Sequence, residues 1–286
     1  FVRSDAEVLA VGTEPHPYGP LLVTKIETRA AIENLPSIID ASAAVMVARG
    51  DLGTECDIAD LPHLQKMIIR ECIAGGLPVI TATQMLDSMV HSAMPTRAEA
   101  SDVANAVFDG SSAVMLSAET AVGVDPAGVV ATMADLAARA DEGFDHDGWG
   151  RRLSDSDQAA RRRGTVASVT DAMTHAAWRA VRNLGIETLL CISGSGFTVR
   201  SMSRFRPQAR ILGFTVDERT AQQLTLSWGV TPYLLSHDGT YEDRVNTAVR
   251  QARHAGEVRS GDLVAVLAGI DPQAHATDVL RIVRIP

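Results

Sequence analysis

Four apolar runs, each broken at its end by polar residues, constrain this chain more than any other feature. Leu21-Leu-Val-Thr-Lys-Ile-Glu27, Val45-Met-Val-Ala-Arg-Gly-Asp51, Val79-Ile-Thr-Ala-Thr-Gln84 and Ala113-Val-Met-Leu-Ser117 read as strands by their apolar and β-branched content. Their ends lie 24, 33 and 33 residues apart, the rhythm of repeated βα units carrying a parallel sheet. The intervening stretches are helical. Residues 29–41 form one, apolar residues at 61, 64, 67, 68, 72 and 73 mark a second, and Ala100, Val103, Ala104, Val107 and Phe108 a third. In such folds a ligand sits at the carboxyl ends of the strands. Here those ends carry Lys25 and Glu27, then Arg49, Gly50 and Asp51, then Thr83 and Gln84, then Ser117 and Glu119.

The pattern begins with a short helix after Arg3 and a turn-rich loop, Gly12–Pro20. It changes character over residues 142–163, a charged connector or surface helix ending in Arg161-Arg-Arg163, whose charge suits solvent. A second α/β pattern follows: strands at 188–192, 211–215, 230–235, 263–267 and 279–285, with helices at 165–183, 218–227 and 241–254. The expected organisation is therefore a first domain at 1–141, a linker at 142–163 and a smaller α/β domain, with a mostly parallel sheet, at 164–286.

Composition narrows the class. With 46% hydrophobic but only 4% aromatic residues, the core must be built from Ala, Val, Leu, Ile and Met. The net charge of −9 argues against a nucleic-acid partner. No apolar run approaches the ~18 residues of a membrane span, and no leader pattern opens the chain. Cys56, Cys72 and Cys191 are odd in number and lack CxxC spacing, so buried free thiols and a reducing cytoplasm are expected. The eight histidines show no HxxxH or HxH spacing, which disfavours zinc.

The strand ends carry the chemistry. Glu27 and Asp51 are hard oxygen donors of the kind Mg²⁺ takes, and ion pairs with Lys25 and Arg49 would explain them equally well. Lys25 either offsets charge on a transferring phosphoryl group, forms a Schiff base, or simply pairs with Glu27. Gly50 is either a turn residue or a place where a backbone N–H meets an anion. Hydroxyls such as Thr83 and Ser117 more often cap the next turn than bind a ligand. The loop Ser193-Gly-Ser-Gly-Phe-Thr198 sits between strand and helix, where it can cradle phosphate or be one of the many ordinary Gly/Ser-rich βα loops.

Lys25-Ile-Glu27, Met46-Val-Ala-Arg-Gly-Asp-Leu-Gly53, Ile80-Thr-Ala-Thr-Gln-Met-Leu-Asp-Ser-Met89, Pro95-Thr-Arg-Ala-Glu99, Ser101-Asp-Val-Ala-Asn-Ala106 and Met115-Leu-Ser-Ala-Glu-Thr-Ala121 together resemble the pyruvate kinases, in order and spacing. Ser195-Gly-Phe-Thr-Val-Arg200 and Phe205-Arg-Pro207 extend the resemblance through the second domain.

The resemblance implies α/β architecture: the last four strands of a (β/α)8 TIM barrel, then an α/β regulatory domain. It implies phosphoryl transfer between phosphoenolpyruvate and ADP, giving pyruvate and ATP, in a cytoplasmic, glycolytic enzyme. Lys25, Thr83 and Ser117 would be catalytic, with Ser117 in the group that protonates the enolate. Arg49, Gly50, Asp51 and Thr83 would bind substrate, and Glu27 and Asp51 would hold Mg²⁺ or Mn²⁺. Ser193, Ser195, Gly196, Phe197 and Thr198 would bind a sugar-phosphate or nucleotide effector, in a homo-oligomer, tetrameric by resemblance.

Two departures qualify it. Ala118 stands where the family has glycine. A full barrel takes about 250 residues, and Phe1-Val-Arg3 matches the end of the family's fourth strand. The earlier strands, the lid domain, the K⁺ ligands and much of the ADP pocket are thus expected to be missing, and the chain alone to be inactive. An inactive or split-protein half and a pyruvate-enolate aldolase or lyase are the alternative readings.

Overall fold

The computed structural model describes residues 1–12, 19–155, 164–236, 239–270 and 277–286. Most of the Gly12–Pro20 loop and the Arg161–Arg163 run lie outside them. The chain divides into two compact units, one built from the first residues with Leu21–Phe144, the other mainly from Asp145–Pro286.

In the first unit, α1 (Asp5–Leu9) precedes β1 (Val23–Ile26), α2 (Arg29–Glu33), α3 (Leu35–Ala41), β2 (Ala44–Ala48), α4 (Arg49–Glu55) and α5 (Leu61–Gly75). Then come β3 (Val79–Ala82), a 3-10 turn at Asp87–Val90, α6 (Arg97–Asp109), β4 (Ala113–Met115), α7 (Ala118–Ala121) and α8 (Pro126–Glu142). The four strands pair in parallel and in sequence order, with Lys25 opposite Met46, Val47 opposite Thr81 and Ala82 opposite Met115. Successive parallel strands joined by helices are the sector of a βα barrel.

Three expectations need correction. The helix over 29–41 is two helices meeting at Asn34, because Pro36 lies in the first turn of α3 and has no N–H to continue α2. The strand expected to run to Asp51 ends at Ala48, and Arg49, Gly50 and Asp51 form the first turn of α4 instead. The strand expected to reach Gln84 ends at Ala82, since Thr83 and Gln84 adopt left-handed backbone angles, φ 73° and 52°. In each strand case the polar tip turns out of the sheet, while apolar residues remain inside it.

The second unit contains α9 (His146–Asp155), α10 (Gly164–Leu184), β5 (Thr188–Ile192), α11 (Phe197–Ser203), β6 (Arg210–Thr215) and α12 (Glu218–Leu224). It ends with β7 (Val230–Leu234), α13 (Tyr241–His254), β8 (Leu263–Ala268) and β9 (Val279–Arg284). The sheet order is β7-β6-β5-β8-β9, parallel except for β9. Both of its faces are covered, which explains continuous apolar strands such as Leu189–Ile192. Leu189, Cys191, Ile211 and Leu267 pack with Ala177, Trp178 and Val181 of α10. Leu190, Ile192, Leu212 and Val266 pack with Val245, Ala248 and Ala252 of α13.

All three cysteines are free, and Cys72 and Cys191 are buried as expected, whereas Cys56 is only partly so. Burial pushes the Cys72 and Cys191 thiols up, away from reactivity. No described helix is long and apolar enough to cross a membrane.

Candidate active site

The carboxyl ends of β1, β2, β3 and β4 gather the polar residues of the first unit. Glu27 follows β1 directly and is nearly enclosed, its side chain 2% exposed. Its Oε2 lies 2.6 Å from the Lys25 Nζ. Burial alone would push the Glu27 carboxyl up. The hydrogen bond and charge of Lys25 oppose that rise.

Lys25 also reaches Asp51, with Nζ 3.9 Å from Oδ2. One ammonium is thus flanked by two carboxylates from neighbouring strand tips. Among the described residues, no group of three or more His, Cys, Asp or Glu side chains gathers at metal-binding spacing. Two hard oxygen donors facing one cation fit an ion such as Mg²⁺, which keeps several water or substrate oxygens.

Gly50 and Thr83 meet beside this cluster. The Gly50 N–H donates to Thr83 Oγ1 at 2.9 Å, and Thr83 Oγ1 donates to the Ala82 carbonyl at 2.6 Å. Gly50 is not in the left-handed region, and a Cβ there would meet nothing closer than 3.6 Å, the Thr83 hydroxyl oxygen. Neither backbone angle nor neighbouring protein requires a glycine at this helical position, where it is intrinsically unfavourable. The missing side chain leaves room for something other than the protein.

Arg49 behaves differently from the other expected ligand-binding residues. Its side chain is only 12% exposed and contacts Asp102, Gln65, Met85 and the carbonyls of Ala82 and Thr83. Ser117 is exposed at the start of α7, and so is Ala118. Ala118 has no positive φ, so the backbone here does not need the glycine that the family motif carries.

Two carboxylates that were not singled out as site residues hold the tips in place. Glu119 is buried, accepting from the Leu86 N–H at 3.2 Å and the Ser117 N–H at 2.7 Å, which ties the chain beyond β3 to that beyond β4. Glu99 closes a capping box with Thr96 and accepts from the Ser88 N–H and hydroxyl at 2.7 and 2.6 Å. The Thr-x-x-Glu pattern signals that cap in the sequence. Nothing local signals the bridging role of Glu119, whose second partner, Leu86, lies in another loop.

Burial tends to raise the Glu99 pKa, and its hydrogen bonds to Ser88 and Thr96 more than reverse this. Glu99 therefore titrates lower folded than unfolded. Its stabilisation is complete above the unfolded value of ~4.3 and is lost as pH falls through the depressed folded value. Urea midpoints should hold steady from about pH 7 to 5 and fall below about pH 4. Glu99→Ala should cost about 1–2 kcal/mol at pH 7 and flatten part of that fall.

In the second unit, the 193–198 loop leaves β5. The Ser193 N–H donates to Phe214 O at 2.9 Å, and Ser195 Oγ accepts from the Phe197 N–H at 3.4 Å. Gly196 has φ 74°, and a Cβ there would sit 2.9 Å from Arg200 Nη1, so this glycine is required by the fold. Phe197 and Thr198 open α11, and the Thr198 hydroxyl is buried against that of Thr277 at 2.5 Å. Ser193, Gly194 and Ser195 form the more open rim. A separate cavity of about 290 Å³, lined by residues including Trp178, Arg182 and Glu187, contains none of the expected site residues.

A barrel sector with charged and hydroxyl groups at its strand tips, followed by an α/β domain with a five-stranded sheet, defines a two-unit α/β protein of the βα-barrel class. Family profiles narrow the class. "Pyruvate kinase, barrel domain" matches residues 1–130, and "Pyruvate kinase, alpha/beta domain" matches residues 171–283. A pyruvate kinase of Clostridium acetobutylicum is 39% identical over 280 residues, 97% of this chain and 58% of that protein. One from Bacillus licheniformis is 39% identical over 285 residues, 99% of this chain and 47% of its own length. The crystal structure of a pyruvate kinase from Cryptosporidium parvum superposes with a TM-score of 0.90 at 32% identity, covering all of this chain and 57% of that one. The chain belongs to the pyruvate kinase family. It spans about half the length of the relatives it matches.

Proposed function

We propose that this chain carries the strand tips at which a pyruvate kinase transfers a phosphoryl group between phosphoenolpyruvate and ADP, yielding pyruvate and ATP. The observation that carries the reading is the Lys25 ammonium held between Glu27 and Asp51, 2.6 and 3.9 Å away, next to the paired Gly50 and Thr83. Phosphoryl transfer needs positioned cations more than covalent help, and this is a positioned cation.

In this reading Lys25 offsets charge on the transferring phosphoryl group. The Gly50 and Asp51 amides and the Thr83 hydroxyl bind the substrate carboxylate, the Gly50 N–H turning from Thr83 to the ligand. Ser117 belongs to the group that delivers a proton to the enolate. Glu27 and Asp51 would hold Mg²⁺ or Mn²⁺, which when bound neutralises phosphoryl and enolate oxygens. K⁺ is a further requirement expected of the family, with no ligand assigned here. The open rim at Ser193–Ser195, with Gly196 shaping it, would receive a phosphorylated effector. Homo-oligomeric assembly and a glycolytic role in the cytoplasm complete the proposal.

The ion pairing of Lys25 with both carboxylates favours this cationic role over an aldolase-type Schiff base, for which the amine would have to leave the pair. The test is pyruvate formation from phosphoenolpyruvate and ADP, with Mg²⁺ and K⁺, by a protein carrying this chain at the full length of its relatives. Borohydride treatment with pyruvate should leave Lys25 unmodified. Trapping at Lys25 without ATP formation would reject the proposal.

A further inference from the structure

Thr83 and Gln84 are consecutive non-glycine residues with left-handed backbone angles, φ 73° and 52°. That conformation is disfavoured for any residue with a Cβ, and most for a β-branched one such as Thr83. Gln84 is exposed, so its own packing does not explain it. The neighbouring Arg49 guanidinium contacts this stretch.

Arg49 Nε donates to the Ala82 carbonyl at 3.3 Å, and Nη2 donates to the Thr83 carbonyl at 2.7 Å. The two carbonyls flank the Thr83 residue whose backbone is turned. Nη2 also meets the Met85 sulfur, while Nη1 is anchored by Asp102 at 2.7–2.8 Å and touches Gln65 Oε1 at 3.4 Å. A guanidinium has five N–H donors in a rigid fork. Each of its three nitrogens is occupied by protein, so the side chain is not presented to a ligand. What it fixes is presented: Thr83 Oγ1, which accepts from the Gly50 N–H at 2.9 Å.

We propose that Arg49 is a positioning residue, a clamp reaching from the end of β2 to β3 and α6, that holds Thr83 and Gln84 in their left-handed conformation and so aims the Thr83 hydroxyl at the Gly50 amide. Its functional weight rests on the reading that Gly50 and Thr83 bind substrate, but the clamp itself is testable without one. Asp102 is part of the same device, anchoring the guanidinium from α6.

The test uses a protein carrying this chain at the full length of its relatives, with amide hydrogen exchange at Gly50 followed by mass spectrometry with residue-level fragmentation. Arg49→Met should accelerate Gly50 exchange about tenfold, the scale of one lost hydrogen bond, while core amides of β2 and β3 keep their protection. Arg49→Lys should fail to restore it, because an ammonium is a single point and cannot span two carbonyls and a carboxylate. Gln84→Gly in the Arg49→Met background should recover at least half of the lost protection, because glycine takes the left-handed conformation without penalty. A purely structural ion pair would not be rescued by a change at exposed Gln84. Should Arg49→Met fail to fold, Asp102→Asn must give the same pattern in weaker form.

Unchanged Gly50 exchange in a folded Arg49→Met or Asp102→Asn chain overturns the clamp, and so does absence of rescue by Gln84→Gly. In a full-length protein, the kcat lost on Arg49→Met should return in part with Gln84→Gly. Coupling of Gly50 to Gln84 in a protein that never converts phosphoenolpyruvate would keep the clamp and reject the proposed reaction.

Discussion

Lys25→Met in a full-length protein is expected to lower kcat by about 10³-fold or more, with far less effect on the KM for phosphoenolpyruvate. The Lys25 ammonium stands 2.6 Å from Glu27 and 3.9 Å from Asp51, so removing it takes away the one protein cation held at these two carboxylates. The loss is greatest where negative charge is spread over the transferring phosphoryl group, which is why it should appear in turnover rather than in binding. Methionine keeps much of the apolar stem, so packing around it changes little. A steady-state comparison at saturating Mg²⁺ checks the split. A variant with unchanged kcat and a raised KM would place Lys25 in binding alone.

The second large effect is expected at Gly50. Gly50→Ala should leave stability unchanged or raise it by about 0.5–1 kcal/mol, because alanine is the better residue in a helical turn. An added Cβ would meet only Thr83, at 3.6 Å or beyond, which is ordinary contact. Substrate affinity should nevertheless fall about 10–100-fold, since the methyl occupies space in which a carboxylate approaches the backbone, an overpacking effect of ~1–3 kcal/mol. Thermal denaturation and equilibrium binding of oxalate, a small planar dianion, measure the two halves separately. A large loss of stability would return Gly50 to the role of a structural turn glycine. Unchanged affinity would remove the carboxylate cradle from the proposal.

These two residues also mark what was legible in the sequence. Apolar runs ending in polar residues at intervals of 24 and 33 residues declare parallel βα units, because burial on both faces leaves the strands little choice of composition. The pairing of Lys25 with Glu27 follows from side-chain alternation, two residues apart near the end of β1. The left-handed turn at Thr83-Gln84 was not legible, since neither residue is a left-handed former and the cause, Arg49, lies 34 residues away. Long-range polar contacts of this kind have no periodicity to betray them. Arg49 itself reads equally as a ligand-facing residue at a strand end or as half of a structural ion pair, because an apolar run says where burial stops but not how the chain turns afterwards. Glu119 is similar: its partners, the Leu86 and Ser117 amides, come together only when β3 and β4 are paired. In the second unit, the loop at 193–198 showed its glycines but not that Gly196 is demanded by a positive φ while the Thr198 hydroxyl turns inward to Thr277.

Phosphorus NMR tests the central claim most directly. A protein carrying this chain at the full length of its relatives would be mixed with phosphoenolpyruvate, ADP, Mg²⁺ and K⁺, and the phosphorus signals followed in time. The account predicts that the phosphoenolpyruvate resonance is replaced, one for one, by the γ-phosphoryl resonance of ATP, and that Lys25→Met abolishes the exchange within the same period. Inorganic phosphate in place of ATP, or an unchanged spectrum from a folded protein, would contradict it.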